Sequence, residues 1–303
     1  MMIALARVDV PFDVIIETYA TEYSTFVDIN IKDLEEQDVA LRIHVQHINK
    51  DKEDVLVLTH GVFSSSHTFL EAATYFDDYQ LVLIDLPGHG LSSIFPDDVT
   101  GLRRHADVVY ETLKMLSIDT FFIGGNSLGG GVSWYFLYLY QNDMNIKGLI
   151  LIDALSPDLV NMMIPSLDFM PSFITRLFSS FTPRGLFQST LNGVYGASAP
   201  SDDMIQRHYD LVRREGVRRQ VPVMQWEPLE TIDFYQIIDD SEIPVLIVWG
   251  DVDQIIPVDV ASIFAQRIRN HILVIYEDVG HEPHGEHTEQ FSQDVIEFLN
   301  MHQ

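Results

Sequence analysis

The 303-residue sequence contains no cysteine. That excludes a disulfide framework and any thiolate metal site. Basic residues are scarce, with 18 Lys and Arg against 45 Asp and Glu, a formal net charge of −27. Such a surface repels nucleic acid and anionic membranes, so neither is expected as a partner. Long apolar runs are missing as well. Runs such as Leu149–Asp153 and Val245–Trp249 have the length of strands, far short of the roughly 20 residues that span a bilayer. The opening stretch from Met1 to Asp9 has too short an apolar run for a signal peptide and no basic segment before it. With cysteine absent, this favours the cytoplasm. No internal repeat, Gly/Ser or Pro tract, or coiled-coil heptad interrupts the chain.

What is present is a 47% hydrophobic composition in a length that suits one large domain with an insertion. Phe26–Ile31 and Leu41–His47 alternate like half-buried antiparallel strands. Val55–Thr59, Leu81–Asp85, Phe121–Gly124, Leu149–Asp153, Val245–Trp249 and Ile272–Tyr276 are continuous apolar runs. They read as strands of a parallel sheet, buried on both faces. Helical patterns at Leu102–Leu116, Gly129–Tyr140, Val258–Arg267 and Glu289–Leu299 lie between and after them. The alternation predicts an α/β fold, a mostly parallel central sheet flanked by helices.

The rhythm breaks after the sixth strand. From Ser156 to about Glu230 no buried-strand run occurs, while Met162, Met163, Phe169, Met170, Phe173, Phe178, Phe181 and Phe187 accumulate and a helical pattern follows at Asp202–Glu215. The predicted organisation is an N-terminal extension at 1–23, a core at 24–155 and 231–303, and an inserted helical cap at 156–230. Ordinary helical packing is the plainer reading of the interval.

Chemistry concentrates at Gly125-Asn126-Ser127-Leu128-Gly129, a G-x-S-x-G pattern. An apolar strand runs into it and an apolar helix leaves it. A strand-to-helix turn this tight strains the Ser and exposes its hydroxyl, making Ser127 a nucleophile. Small residues at 125 and 129 let neighbouring backbone pass close. The new helix directs its free N–H groups at developing negative charge. No Gly-Lys-Ser/Thr follows, which excludes a phosphate-binding P-loop. A second signal, Leu58-Thr59-His60-Gly61-Val62-Phe63, follows a buried strand directly. Acyl transfer needs N–H donors aimed at an oxyanion, and Leu128 and Val62 are the predicted pair. His60 is expected to be structural.

Taken with Asp85-Leu86-Pro87-Gly88-His89-Gly90-Leu91-Ser92, these segments resemble the α/β-hydrolase superfamily. The similarity continues through Leu149–Asp153, Val248-Trp249-Gly250-Asp251-Val252-Asp253 and Val279-Gly280-His281, and spans roughly residues 24 to 300. The family's order, Ser then acid then His, leaves Asp251 and Asp253 as acids after a buried strand. The resemblance favours Asp253, three residues after the Gly, with Asp153 at the sixth strand as a further candidate. It makes His281 the base. The nearby His284 and His287, with Glu282 and Glu286, invite a metal reading, but Gly285 breaks H-E-x-x-H and Pro283 opposes a single helix face of ligands. No metal or cofactor is therefore expected, and His284 and His287 are expected at the surface.

Within this fold, haloalkane dehalogenases and epoxide hydrolases carry Asp where this chain carries Ser127. The resemblance thus implies a carboxylesterase-like serine hydrolase working by an acyl-enzyme. A C–C hydrolase of the meta-cleavage-product type is the nearest rival. Such enzymes share G-N-S-x-G-G but use a cap Arg and a Trp after the catalytic His, where this chain places His208, beside Arg207, and Glu282. A ligand receptor with little turnover is a third reading. Only Arg176 and Arg184 are cationic between 156 and 200, and Met and Phe make adaptable apolar walls. The expected partner is a small to medium, uncharged, apolar ester.

Overall fold

The computed structural model describes residues 8–33, 36–97, 99–161, 182–220 and 232–303. Eight strands form one sheet: β1 (Ser24–Lys32), β2 (Asp38–Ile48), β3 (Val55–Thr59), β4 (Gln80–Ile84), β5 (Thr120–Asn126), β6 (Asn145–Ile152), β7 (Val245–Gly250) and β8 (His271–Tyr276). Their spatial order is β1-β2-β4-β3-β5-β6-β7-β8. β1 and β2 pair antiparallel, as does β2 with β4; all later pairings are parallel.

Side chains alternate across the pleat, so each buried strand feeds two cores. Val57, Val82, Ile123, Leu151 and Ile247 enter the larger one. Leu58, Leu83, Phe122, Ile150 and Val248 enter the other. The first lies under α3 (Leu102–Met115) and α4 (Leu128–Tyr140), with α8 (Phe234–Asp240) and α9 (Asp259–Arg267) alongside. The second is closed by α2 (Leu70–Ala73) and α11 (Thr288–Met301). In α3, Leu102, Ala106, Val109 and Leu113 form a helical stripe against the core, and Arg103 faces outward. α4, almost wholly apolar, is buried from Leu128 to Leu137, as its position at the sheet's centre demands.

Two elements differ from the sequence reading. Ile272–Tyr276 was expected to be buried on both faces, but β8 is the edge strand, leaving Leu273 39% and Ile275 42% exposed. An apolar run carries no information about whether a further strand lies beyond it. In the N-terminal stretch, α1 (Phe12–Tyr19) docks on α6 (Asp202–Val212). Ile15, Leu91 and Leu211 share a small core there, and Tyr19 donates to Asp210 Oδ2 at 2.8 Å.

Between β6 and β7 the described chain forms α5 (Arg184–Asn192), α6, the short α7 (Val217–Gln220) and α8, and contributes no sheet strand. Among the described residues no helix is long and apolar enough to cross a membrane. The strands' carboxyl ends carry Thr59, Ile84, Asn126, Ile152 and Gly250. The loops leaving this edge build the site.

Candidate active site

Ser127 sits between β5 and α4 with φ 54° and ψ −114°. This is a conformation that a non-glycine residue holds only when its surroundings impose it, at a cost of about 1–3 kcal/mol. The surroundings are backbone. Ser127 N–H donates to Ile152 O at 3.0 Å, and its carbonyl accepts from Gly131 and Leu155. The closeness expected at 125 and 129 is real. A Cβ on Gly129 would stand 2.0 Å from Thr59 O, and one on Gly125 would stand 2.5 Å from it.

His281 follows β8. Its Nδ1 lies 2.6 Å from Asp253 Oδ2, both residues buried. Asp253 Oδ1 accepts from the N–H groups of Ile255 and Ile256 at 2.7 and 3.1 Å. Asp253 is thus fixed as an acceptor, which places the imidazole proton on Nδ1 and leaves the Nε2 lone pair free. Asp251, the competing acid, is exposed. Ser127 and His281 line one cavity, and Ser127 Oγ makes no hydrogen bond among the described residues.

Asp153 is wholly buried at the end of β6, with φ 42°. Its Oδ1 accepts from Gly250 N–H at 3.0 Å, and its Oδ2 has no partner among the described residues. Burial, and then the charge of Asp253, push its carboxyl well above the usual range. Both effects favour the protonated form of Asp153. One ligand atom each from Asp153, Asp253 and His281 lies within 4.8 Å of the others. Asp253 already accepts from three donors, and burial favours the protonated form of Asp153; both oppose a bound cation here.

Val62 and Leu128 both line the cavity, and neither N–H has a partner among the described residues. The loop bearing Val62 is pinned from behind. His60 Nδ1 donates to Gly61 O at 2.7 Å, and its Nε2 accepts from Leu86 N–H. Burial pushes the His60 imidazole down, keeping it neutral for that double role. Asp85 extends the brace: its carboxylate accepts from Ser66 N–H, Leu91 N–H and His44 Nδ1 at 2.6–2.7 Å. Burial alone would raise this carboxyl; His44 beside it holds it well below the usual range.

Three supporting residues were not assigned from sequence. Asp85 is one; the available signal was an Asp at a strand end followed by a glycine turn. Asn126, inside the G-x-S-x-G pattern, donates through Nδ2 to His281 O at 2.9 Å, tying the turn of Ser127 to the loop of His281. Glu286 accepts from Gly280 N–H at 2.9 Å, Gly196 N–H at 2.7 Å and Ser198 at 2.8 Å. His281 N–H itself donates to Val194 O at 2.7 Å. The segment after α5 is thus joined to the loop of His281. The join is tight: a Cβ on Gly280 would meet Val194 O at 2.4 Å.

The cavity over Ser127 has a volume of about 540 Å³. Phe187, Leu191, Val194 and His208 close it from the β6–β7 interval. Met162, Met163, Phe169, Met170, Phe173, Phe178 and Phe181, expected to line it, lie outside the described residues, as does Arg176. Where the sequence left a choice between His208 and Arg207, the described lining includes His208. Glu282 also lines it. His284 corrects an expectation: it is buried, not at the surface, because α10 (Pro283–Glu286) turns it inward. There it meets the Phe69 ring at 4.6 Å and Thr68 Oγ1 at 3.0 Å. Burial pushes its imidazole down to about 4. His287 is exposed as expected.

A family profile described as alpha/beta hydrolase fold matches residues 54–288. The chain belongs to the α/β-hydrolase family. Among curated members, it is 27% identical over 294 residues to a 2-hydroxy-6-oxononadienedioate/2-hydroxy-6-oxononatrienedioate hydrolase of Paraburkholderia phymatum, covering 92% of this chain and 97% of that one. Solved structures with the same fold include a thermophilic esterase from Thermogutta terrifontis, with TM-score 0.73, 19% identity, and 92% and 100% of the two chains covered. A probable hydrolytic enzyme from Pseudomonas aeruginosa superimposes with TM-score 0.75, 17% identity, and 92% and 95% covered. In this α/β-hydrolase the residues singled out from sequence, Ser127, Asp253, His281, Val62 and Leu128, converge at one end of the sheet, whereas Asp251 faces solvent.

Proposed function

We propose that the protein is a serine hydrolase cleaving an uncharged carboxylic ester, with Ser127 as nucleophile, His281 as base and Asp253 as acid. The observation that carries this reading is the 2.6 Å His281–Asp253 bond, buried beside the cavity into which the strained Ser127 opens. Ser127 Oγ attacks the ester carbonyl as its proton passes to His281 Nε2. Asp253 stabilises the imidazolium formed. The N–H groups of Val62 and Leu128 receive the oxyanion. His281 then returns the proton to the leaving alcohol, and water repeats the sequence on the acyl-enzyme. The interval from 156 to 230 acts as a cap whose apolar side chains receive the rest of the ester.

A second reading, cleavage of a C–C bond, has support from the curated relatives' names. Those names specify a dicarboxylate, and no Lys or Arg is among the described residues lining this cavity. Turnover of p-nitrophenyl butanoate beside a vinylogous diketone acid separates the two. Ester turnover with Ser127 labelled by a fluorophosphonate, read by intact-protein mass, is the expected result. Turnover of the diketone alone would reverse the assignment.

A further inference from the structure

The cavity's polar corner contains hydrogen-bond acceptors. Glu282, the residue after His281, is only 5% exposed, and it lines the cavity. Its Oε2 accepts from Tyr195 at 3.0 Å and from Thr68 at 3.2 Å. Its Oε1 has no hydrogen-bond partner among the described residues. Burial by itself would raise this carboxyl; His284, His208 and the Tyr195 hydroxyl hold it below the usual range. Two hydroxyl donors, from Tyr195 and Thr68, favour its charged form.

His208 is the second acceptor. Its Nδ1 lies 2.9 Å from Met204 O, a contact that only a donor can make. Burial holds the imidazole neutral, so Nε2 carries a lone pair. Among the described residues its one hydrogen-bond partner is Ser64 Oγ at 3.5 Å. The serine hydroxyl rotates to give or take a proton. Arg207, the neighbouring cation on α6, is not among the described lining residues.

We propose that Glu282 and His208 form a specificity subsite that takes a neutral hydrogen-bond donor on the substrate, a hydroxyl or amide N–H, and turns away a carboxylate. The proposal rests on reading this cavity as the substrate site. A donor entering the corner gains an acceptor already stripped of water. A carboxylate entering it meets a like charge in a confined, largely apolar space and finds no cationic donor among the described lining residues. The same corner explains why an apolar cavity retains a buried anion: the carboxylate's support comes from Tyr195 and Thr68, and one lone-pair face is left to the ligand.

The test uses calorimetric binding to the Ser127→Ala protein, which leaves esters uncleaved. Matched ligands are ethyl hexanoate, ethyl ω-hydroxyhexanoate and monoethyl adipate, with ethyl butanoate and monoethyl succinate as a shorter pair. The hydroxy ester should bind tightest, and each half-ester acid at least about tenfold more weakly than its neutral match. Adding Glu282→Gln should shrink the acid-to-neutral gap below about threefold. Acids that bind Ser127→Ala as well as their neutral matches, or a gap unmoved by Glu282→Gln, would overturn the subsite; so would no binding by any ester. If the double variant does not fold, the affinity order in the single variant decides. Turnover of ethyl hexanoate by the unmodified protein is scored separately. No turnover with the binding order intact removes the esterase reading and keeps the subsite, whereas turnover with a flat order removes the subsite alone.

Discussion

Asp153 offers a sharp test because two carboxyl groups stand near His281 and burial favours the protonated form of Asp153. Replacing it with Asn keeps the shape, keeps an oxygen for Gly250 N–H and suits the positive φ. If Asp153 is neutral, the amide changes little, and Asp153→Asn should leave kcat/KM for an ester within about fivefold, a difference of about 1 kcal/mol. If instead it were a carboxylate supporting the His281 imidazolium from within 4.8 Å, the loss would be larger. One charge pair at that distance and an effective dielectric of about 20 is worth about 3.5 kcal/mol, or roughly 300-fold. Asp253→Asn removes the acceptor of the 2.6 Å bond and should cost on the order of 10⁴ in kcat. Asp153→Ala behaves differently again: it leaves Gly250 N–H buried and unpaired, costing about 1–3 kcal/mol in stability. The assays are kcat/KM at neutral pH for the two Asn variants and thermal unfolding for the Ala variant. A hundredfold loss in Asp153→Asn, with a mild effect in Asp253→Asn, would exchange the two residues' roles and refute the assignment of charge.

Ser127→Ala should abolish ester turnover, a loss on the order of 10⁶ in kcat, while relaxing the strained turn, so its melting temperature should not fall. Phe187→Ala should raise KM for octanoyl esters several-fold with kcat little changed, since truncating a cavity wall removes binding shared by ground and transition states; an unchanged chain-length preference would exclude Phe187 from the acyl site. Stability should fall with acid well before carboxylates titrate. Burial pushes His67 and His284 down to about 4 and His89 to about 3, so between there and about 6.5 the unfolded chain binds more protons, and each group costs up to about 1.4 kcal/mol per pH unit. A melting temperature that is flat between about pH 7 and about pH 5 would show these histidines to be solvated. Gly280→Ala should lower the melting temperature and kcat together, because its Cβ would force Val194 away and the base's loop with it.

The strands were legible because burial on both faces leaves continuous apolar runs: Val55–Thr59 is matched residue for residue by β3. The nucleophile's turn was legible for a similar reason, since glycines were required where Thr59 passes. The exposure of β8 was not legible, because sheet order is set by neighbours remote in sequence. Residues that act through long-range partners were equally silent. Asn126 reaches His281, Asp85 reaches His44, and Glu286 reaches Gly196; each looks like an ordinary polar residue until the chain folds. His284 was misplaced because a polar residue near a helix start usually faces water, and here Phe69 and Thr68 receive it.

The bond from His281 N–H to Val194 O, reinforced by Glu286, means that selectivity and reactivity share a hinge pin. Many proteins diversify by exchanging a peripheral insertion on a constant catalytic frame. On the proposed reading the inserted piece also holds His281 in register. A transplanted insertion of different length just after residue 192 would shift the imidazole as well as reshape the cavity. Hybrids between this chain and its relatives should therefore remain active only when the Val194–Gly196 and Gly280–Glu286 segments are inherited from the same parent.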